Sequence, residues 1–153
     1  MILATLCYIR KNGKVLMLHR TKKKSDIHQG KWVGLGGKFE KGETPDKCVM
    51  REVKEESGLT PKNLTFHGTI LFDSFKGNDW FVFIYSATDY KGTITESSEG
   101  KLAWINETEL LTLELWEDDK IFLPWILEGK LFSAKFDDTK EKHTLESVTF
   151  YKQ

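Results

Sequence analysis

Residues 44–61, TPDKCVMREVKEESGLTP, leave the chain little conformational choice. Thr44 suits a helix N-cap, Pro45 the first helical position, and Asp46 the positive end of the helix dipole. Gly58 is placed to end the helix in a left-handed conformation, and Pro61 blocks its resumption. A helix over 45–57 follows. Its charge pattern is the unusual part. At about 100° per residue, Glu55 and Glu56 lie roughly −60° and +40° from Glu52, so three carboxylates share one arc. Like charges at these spacings repel. Glu55 has Arg51 four residues back, but Glu52 and Glu56 have no basic helical neighbour. Val49 and Val53, which should face a core, lie beside the stripe. Acids bordering a packed face suit a hard divalent cation, because Mg²⁺ prefers carboxylate oxygens. The competing reading is an ordinary solvated acidic face.

Around this helix the pattern is mixed. Strands are expected at 2–10 and 14–20 about the Asn12-Gly13 turn, then a basic loop from Arg20 to Lys24. The glycine-rich KWVGLGGKFEKGE, residues 31–43, reads as loop with a short strand. Aromatic and β-branched residues mark strands at 65–73, 79–88 and 100–105. A short helix at 106–112 precedes another from near Asp119, which Pro124 must kink or delay. Strands near 131–136 and 144–151 close the chain. This interleaving predicts α/β or α+β layers, with a helix on each side of a mixed sheet.

The 153 residues fit one domain, 1–153, without repeat or linker. With 23 Lys+Arg against 23 Asp+Glu, no global basic field exists to hold a nucleic-acid polymer. Cys7 and Cys48 lack metal-site spacing and read as reduced and structural. Nothing resembles a signal peptide or a membrane span. The expectation is a cytoplasmic monomer acting on a small molecule.

Gly37, Glu43 and the run Arg51-Glu52-Val53-Lys54-Glu55-Glu56-Ser57-Gly58-Leu59 resemble the Nudix box in every defined position. That resemblance implies an α/β/α sandwich with a central mixed β-sheet, cleaving nucleoside diphosphates linked to another group with Mg²⁺ or Mn²⁺. By position, it implies metal ligation by Glu52, Glu55, Glu56 and the Gly37 carbonyl, with Arg51 orienting the acids. Glu99, just before the strand at 100–105, matches a region where the family often carries a further metal-binding or base glutamate; otherwise it is an exposed loop acid. The chemistry suits these residues, since metal ions neutralise a polyphosphate and acidify water, and a carboxylate can take the proton. The histidines at 19, 28, 67 and 143 are scattered and read as structural or surface residues.

Beyond the box, GKWVGLGGKFEKGETPD, GTITESSEGKLAW and LWEDDKIFLPWILEGKLFSAKF are similar to the MutT-type oxidised-purine nucleoside triphosphatases. The likeness implies a base pocket of Trp116, Asp118 and Asp119, where the indole stacks and the carboxyls read a purine edge. The alternative makes Trp116 core and an aspartate the cap of the following helix. Thr5 and Phe72 match pocket positions of the same relatives. Arg20 and Lys38 are candidates for phosphate, the alternative for Arg20 being a solvated loop shared with Lys22, Lys23 and Lys24. Val33 stands where the animal enzymes carry an asparagine that hydrogen-bonds the base, a bond valine cannot make. The readings left open are another Nudix substrate, such as ADP-ribose, a dinucleoside polyphosphate or an ordinary dNTP, and a non-catalytic nucleotide sensor.

Overall fold

The computed structural model describes residues 1–153, the side chain of Glu141 excepted. Strands β1 (Ile2–Lys11) and β2 (Lys14–Arg20) pair only beside their turn, at Arg10–Val15 and Lys11–Lys14, and then diverge. The glycine-rich segment fills the opening. Its β3 (Trp32–Val33) pairs with Leu18 and His19 of β2. Leu35, Gly37 and Phe39 then bond the free edge of β1, with Cys7 N–H donating to Leu35 O at 2.6 Å and Thr5 N–H to Gly37 O at 2.9 Å.

Helix α1 (Pro45–Ser57) leads into the long strands β4 (Thr60–Phe75) and β5 (Asn78–Lys91). β5 runs parallel to β1, and β4 is antiparallel to β5. β6 (Gly100–Asn106) covers the outer edge of β2, followed by a 3-10 turn at Glu107–Thr112. Helix α2 (Glu117–Leu127) precedes β7 (Leu131–Asp137), parallel to β4, and β8 (Thr144–Tyr151), antiparallel to β7.

The sheet is buried on both faces. Cys7, Ile9, Leu16 and Leu18 pack with Val49 and Val53 of α1. Their neighbours Tyr8, Val15 and Met17 pack with Phe122, Leu123 and Ile126 of α2, together with Ile70, Ile84, Phe132 and Phe136. Alternation along each strand thus feeds two cores, and a helix covers each face. This is the expected mixed sheet between helices.

Two elements, β4 and α2, depart from the sequence expectation in ways that have a physical reason. β4 begins at Thr60 rather than residue 65 and carries Pro61 inside it. β7 joins β4 only from Gly68 onward, so the first part of β4 pairs with β5 alone and is an edge, the setting in which a strand tolerates proline. α2 begins at Glu117, and it runs through Pro124 for three more residues without delay. Its apolar residues Phe122, Leu123 and Ile126 are buried on both sides of the proline, and that packing outweighs one lost hydrogen bond.

Candidate active site

The caps of α1 form as the sequence requires. Thr44 Oγ1 accepts from Lys47 N–H at 3.3 Å, and Gly58, at φ 79°, donates its N–H to Lys54 O at 2.9 Å. This fixes the rotation of the helix. Val49 and Val53 are sealed in the core, and the acids emerge along its border.

Arg51 organises that border. Its Nε and Nη2 grip Glu43 at 2.7 and 2.9 Å, and Nη1 donates to Glu52 at 2.8 Å and to Glu55 at 3.2 Å. Nη2 also donates to the Lys38 carbonyl at 3.1 Å, tying α1 to the glycine-rich segment. The guanidinium hydrogen bonds hold the Glu43 carboxyl down to about 2. One cation therefore faces several acids and serves Glu43 best.

Glu56 is 8% exposed and accepts from Gly36 N–H at 2.7 Å. Burial pushes its carboxyl well above the usual range, and Glu99 and Glu52 add repulsion. Burial also raises Glu52, against the pull of Arg51. Glu99 comes from the opposite side, just ahead of β6, and is paired with Arg20 at 3.1 Å. Glu55 is the outlier, 58% exposed and bonded only to Arg51. The sequence also builds a place beside these carboxyls by omission: a Cβ on Gly37 would lie 2.5 Å from the Glu52 carboxyl. Clustered, charge-deficient carboxylates are a donor set that fits a divalent cation. The Gly37 carbonyl already accepts from Thr5 N–H, with a weak 3.6 Å contact from the Cys48 thiol as its second partner. Only the thiol contact is easily displaced.

A cleft of about 610 Å³ opens beside this centre, a size suited to a small ligand. Glu52, Glu99, Gly37 and Lys38 line one part of it, and Phe72, Phe75, Trp80, Trp116, Asp118 and Asp119 another. Trp116 is held by an Nε1–H bond to His28 Nδ1 at 2.8 Å and by edge contact with Phe75 at 5.0 Å. Lys31 and Lys76 lie 5.0 and 5.4 Å from its ring centre. Burial, with Asp138 adding repulsion, lifts Asp119 to about 7.

Residues 2–126 match the sequence profile of the NUDIX domain. The chain belongs to the Nudix family. It is 34% identical to an "Oxidized purine nucleoside triphosphate hydrolase" of Danio rerio over 151 residues, covering 95% of each chain. The mouse protein of the same description is 36% identical, over 82% of this chain and 84% of its own. In three dimensions the mutator MutT protein from Bacillus halodurans superposes with a TM-score of 0.83 at 29% identity, covering 98% of this chain and 97% of that one. This Nudix protein is a hydrolase of a family that acts on small-molecule nucleotides and generally uses a divalent metal. No helix among its described residues is long and apolar enough to cross a membrane.

The fold of this Nudix hydrolase brings Glu52, Glu56, Glu99, Arg51 and Gly37 to one corner, and Phe72, Trp116, Asp118 and Asp119 to the adjoining cleft. Neither aspartate caps α2: the N-cap position is Trp116, without a side-chain cap bond. Thr5 lines the cleft, yet its hydroxyl has Cys48 Sγ, 3.5 Å away on α1, as its partner. Arg20 is committed to Asp26 at 2.7 Å and to Glu99. Lys38 stands over Trp80, its Nζ 5.5 Å from the ring centre. Val33 lines the cleft almost fully buried.

Sequence reasoning missed four contributors. His28 was read as structural or surface, yet it lines the cleft and fixes Trp116. Trp80 presents a buried, unpartnered Nε1 in a cleft-lining position. Asp138 and His143 stand behind Asp118. No spacing rule connects these residues with the helix they serve; only Trp80, an aromatic polar atom in a strand, carried a signal at all.

Proposed function

We propose that this chain hydrolyses oxidised purine nucleoside triphosphates, 8-oxo-dGTP foremost, to the monophosphate and pyrophosphate with Mg²⁺, Mn²⁺ serving in its place. The observation that carries this reading is the single cleft that joins an acidic corner to an aromatic pocket ending in two aspartates. A nucleotide has the same two-part chemistry. The relatives described as oxidised purine hydrolases in Danio rerio and Mus musculus support it.

Glu52, Glu55, Glu56, Glu99 and the Gly37 carbonyl are the residues that would hold the cation. When bound, it neutralises polyphosphate charge and acidifies water. Arg51 keeps Glu52 and Glu55 oriented, and Gly36 N–H keeps Glu56 oriented. Of the carboxylates, Glu52 and Glu99 line the cleft and are assigned the proton of the attacking water. Lys38 attracts phosphate. Arg20 acts by positioning Glu99. Trp116 offers a stacking face, and Asp118 and Asp119 read the purine edge, with Phe72 packing beneath. With Val33 unable to bond the base, discrimination falls to the aspartates, and oxidised guanine is favoured over oxidised adenine.

The test is a panel of 8-oxo-dGTP, 2-oxo-dATP, dGTP and ADP-ribose with Mg²⁺, products identified by mass. Glu52→Gln and Glu56→Gln are each expected to lower kcat by at least about 10²-fold. Full turnover in excess chelator, or unchanged turnover in both variants, refutes the assignment. Equal efficiency on both oxidised purines, unaltered by Val33→Asn, refutes the role given to Val33.

A further inference from the structure

We propose that Asp118, Asp138 and His143 bind a second divalent cation, of the zinc type, at the base end of the cleft. The three residues arrive from separate places: Asp118 from the first turn of α2, Asp138 from the residue after β7, and His143 from the residue before β8. One ligand atom of each falls within a 4.8 Å group. Asp118 is 1% and Asp138 3% exposed, and none of their four carboxyl oxygens has a hydrogen-bond partner. His143 Nδ1 is buried and unpartnered as well. Five buried polar atoms around one point leave a large desolvation cost uncompensated. A proton shared between the two carboxyls relieves part of that cost, and a cation held by all three residues relieves the rest.

The spacing points to the kind of cation. His143 Nδ1 lies 3.6 Å from Asp118 Oδ2 and 3.3 Å from Asp138 Oδ1, and neither contact is directed as a hydrogen bond. Metal–ligand bonds of about 2.0–2.2 Å put the edges of a zinc tetrahedron at roughly 3.3–3.6 Å. A nitrogen donor beside two carboxylates favours a transition metal over Mg²⁺, which takes oxygen ligands in an octahedron. Three protein ligands leave one position for water. Burial, then the shared-proton hydrogen bond and repulsion of the facing Asp138 carboxyl, push Asp118 up to about 9. With the cation bound, Asp118 is an ionised acceptor, and the β7–β8 connection is tied to the start of α2. The site is independent of the Glu52–Glu56–Glu99 centre, and its test is independent of turnover.

The experiment is a Co²⁺ titration of the whole protein in excess Mg²⁺, which keeps the acidic corner of α1 filled. One equivalent should bind with the intense visible bands of a tetrahedral ion. His143→Ala and Asp138→Ala should each abolish them. Because Asp138→Ala removes a buried group and can harm folding, the wild-type imidazole resonances are followed as well. Stoichiometric Zn²⁺ in excess Mg²⁺ should shift the His143 ring and suppress its titration with pH. Absence of the bands in wild type, bands surviving in both variants, or a His143 ring that still titrates with Zn²⁺ present overturns the proposal.

Discussion

Two adjacent glycines do different work. A Cβ on Gly37 would meet the Glu52 carboxyl, the movable end of a flexible side chain. Gly37→Ala is therefore expected to fold with little loss and to lower kcat by about 10²-fold, since it displaces a carboxylate from its working position. Gly36, at φ 147°, would drive a Cβ to 2.1 Å from the Thr5 carbonyl, which is backbone and cannot yield. Gly36→Ala is expected to cost at least about 2 kcal/mol of stability. Thermal melts and kcat measured on both variants check the contrast; equal stability losses would contradict it. His28 adds a pH effect. Burial, aided by Arg20, lowers its imidazole from 6.5 to about 4, and Trp116 donates to its unprotonated Nδ1. The folded state thus disfavours the charged ring. The stability that follows is complete above about 6.5 and is lost as the pH falls toward about 4. His28→Gln, which keeps an acceptor but does not titrate, should flatten that part of the acid limb in denaturant midpoints; an unchanged slope would remove His28 from the account.

At the scale of elements, α1 depends on its ends and α2 on its flank. Gly58 closes α1 at φ 79°, where a Cβ would lie 2.6 Å from the Thr93 carbonyl. Gly58→Ala pays both for the left-handed conformation and for the contact, so a loss of at least about 1–2 kcal/mol is expected in chemical denaturation. In α2, Pro124 withholds an N–H from the Lys120 carbonyl while Phe122, Leu123 and Ile126 hold the helix to the sheet. Pro124→Ala restores the donor and should raise stability by about 1–3 kcal/mol. A neutral or destabilising result would mean that the ring's own packing matters more than the missing bond.

The whole molecule feels its acidic corner. Glu52 and Glu56 are raised by burial, and Glu99 and Glu52 both push Glu56 further up. A cation binding only the folded state at a hundredfold above its Kd would add about 2.7 kcal/mol. Millimolar Mg²⁺ should consequently raise Tm, chelator should reverse the rise, and Glu56→Gln should blunt it while melting no lower than wild type without metal. A Tm indifferent to Mg²⁺ in the wild type would count against the acids as a cation site.

How much of this was legible beforehand follows from the range of the forces involved. Helix α1 could be read because its caps, its terminating glycine and its acidic stripe are all local, and one helical period brings Glu52, Glu55 and Glu56 to one side. The two-sided sheet was legible in its apolar strands. The start of β4 was not, because whether Pro61 is tolerated depends on where β7 begins, some seventy residues downstream. The division among the acids was equally invisible: nothing in the stripe says that Glu56 is buried against Gly36 while Glu55 points to solvent. Sequence by itself determined the acidic helix, its register against the core and the chemistry its residue types can perform. Only the tertiary structure decided that Glu99 meets Glu56, that His28 holds Trp116, and that Asp138 and His143 stand behind Asp118. Burial and long-range juxtaposition arise from packing between elements, and no local pattern encodes them.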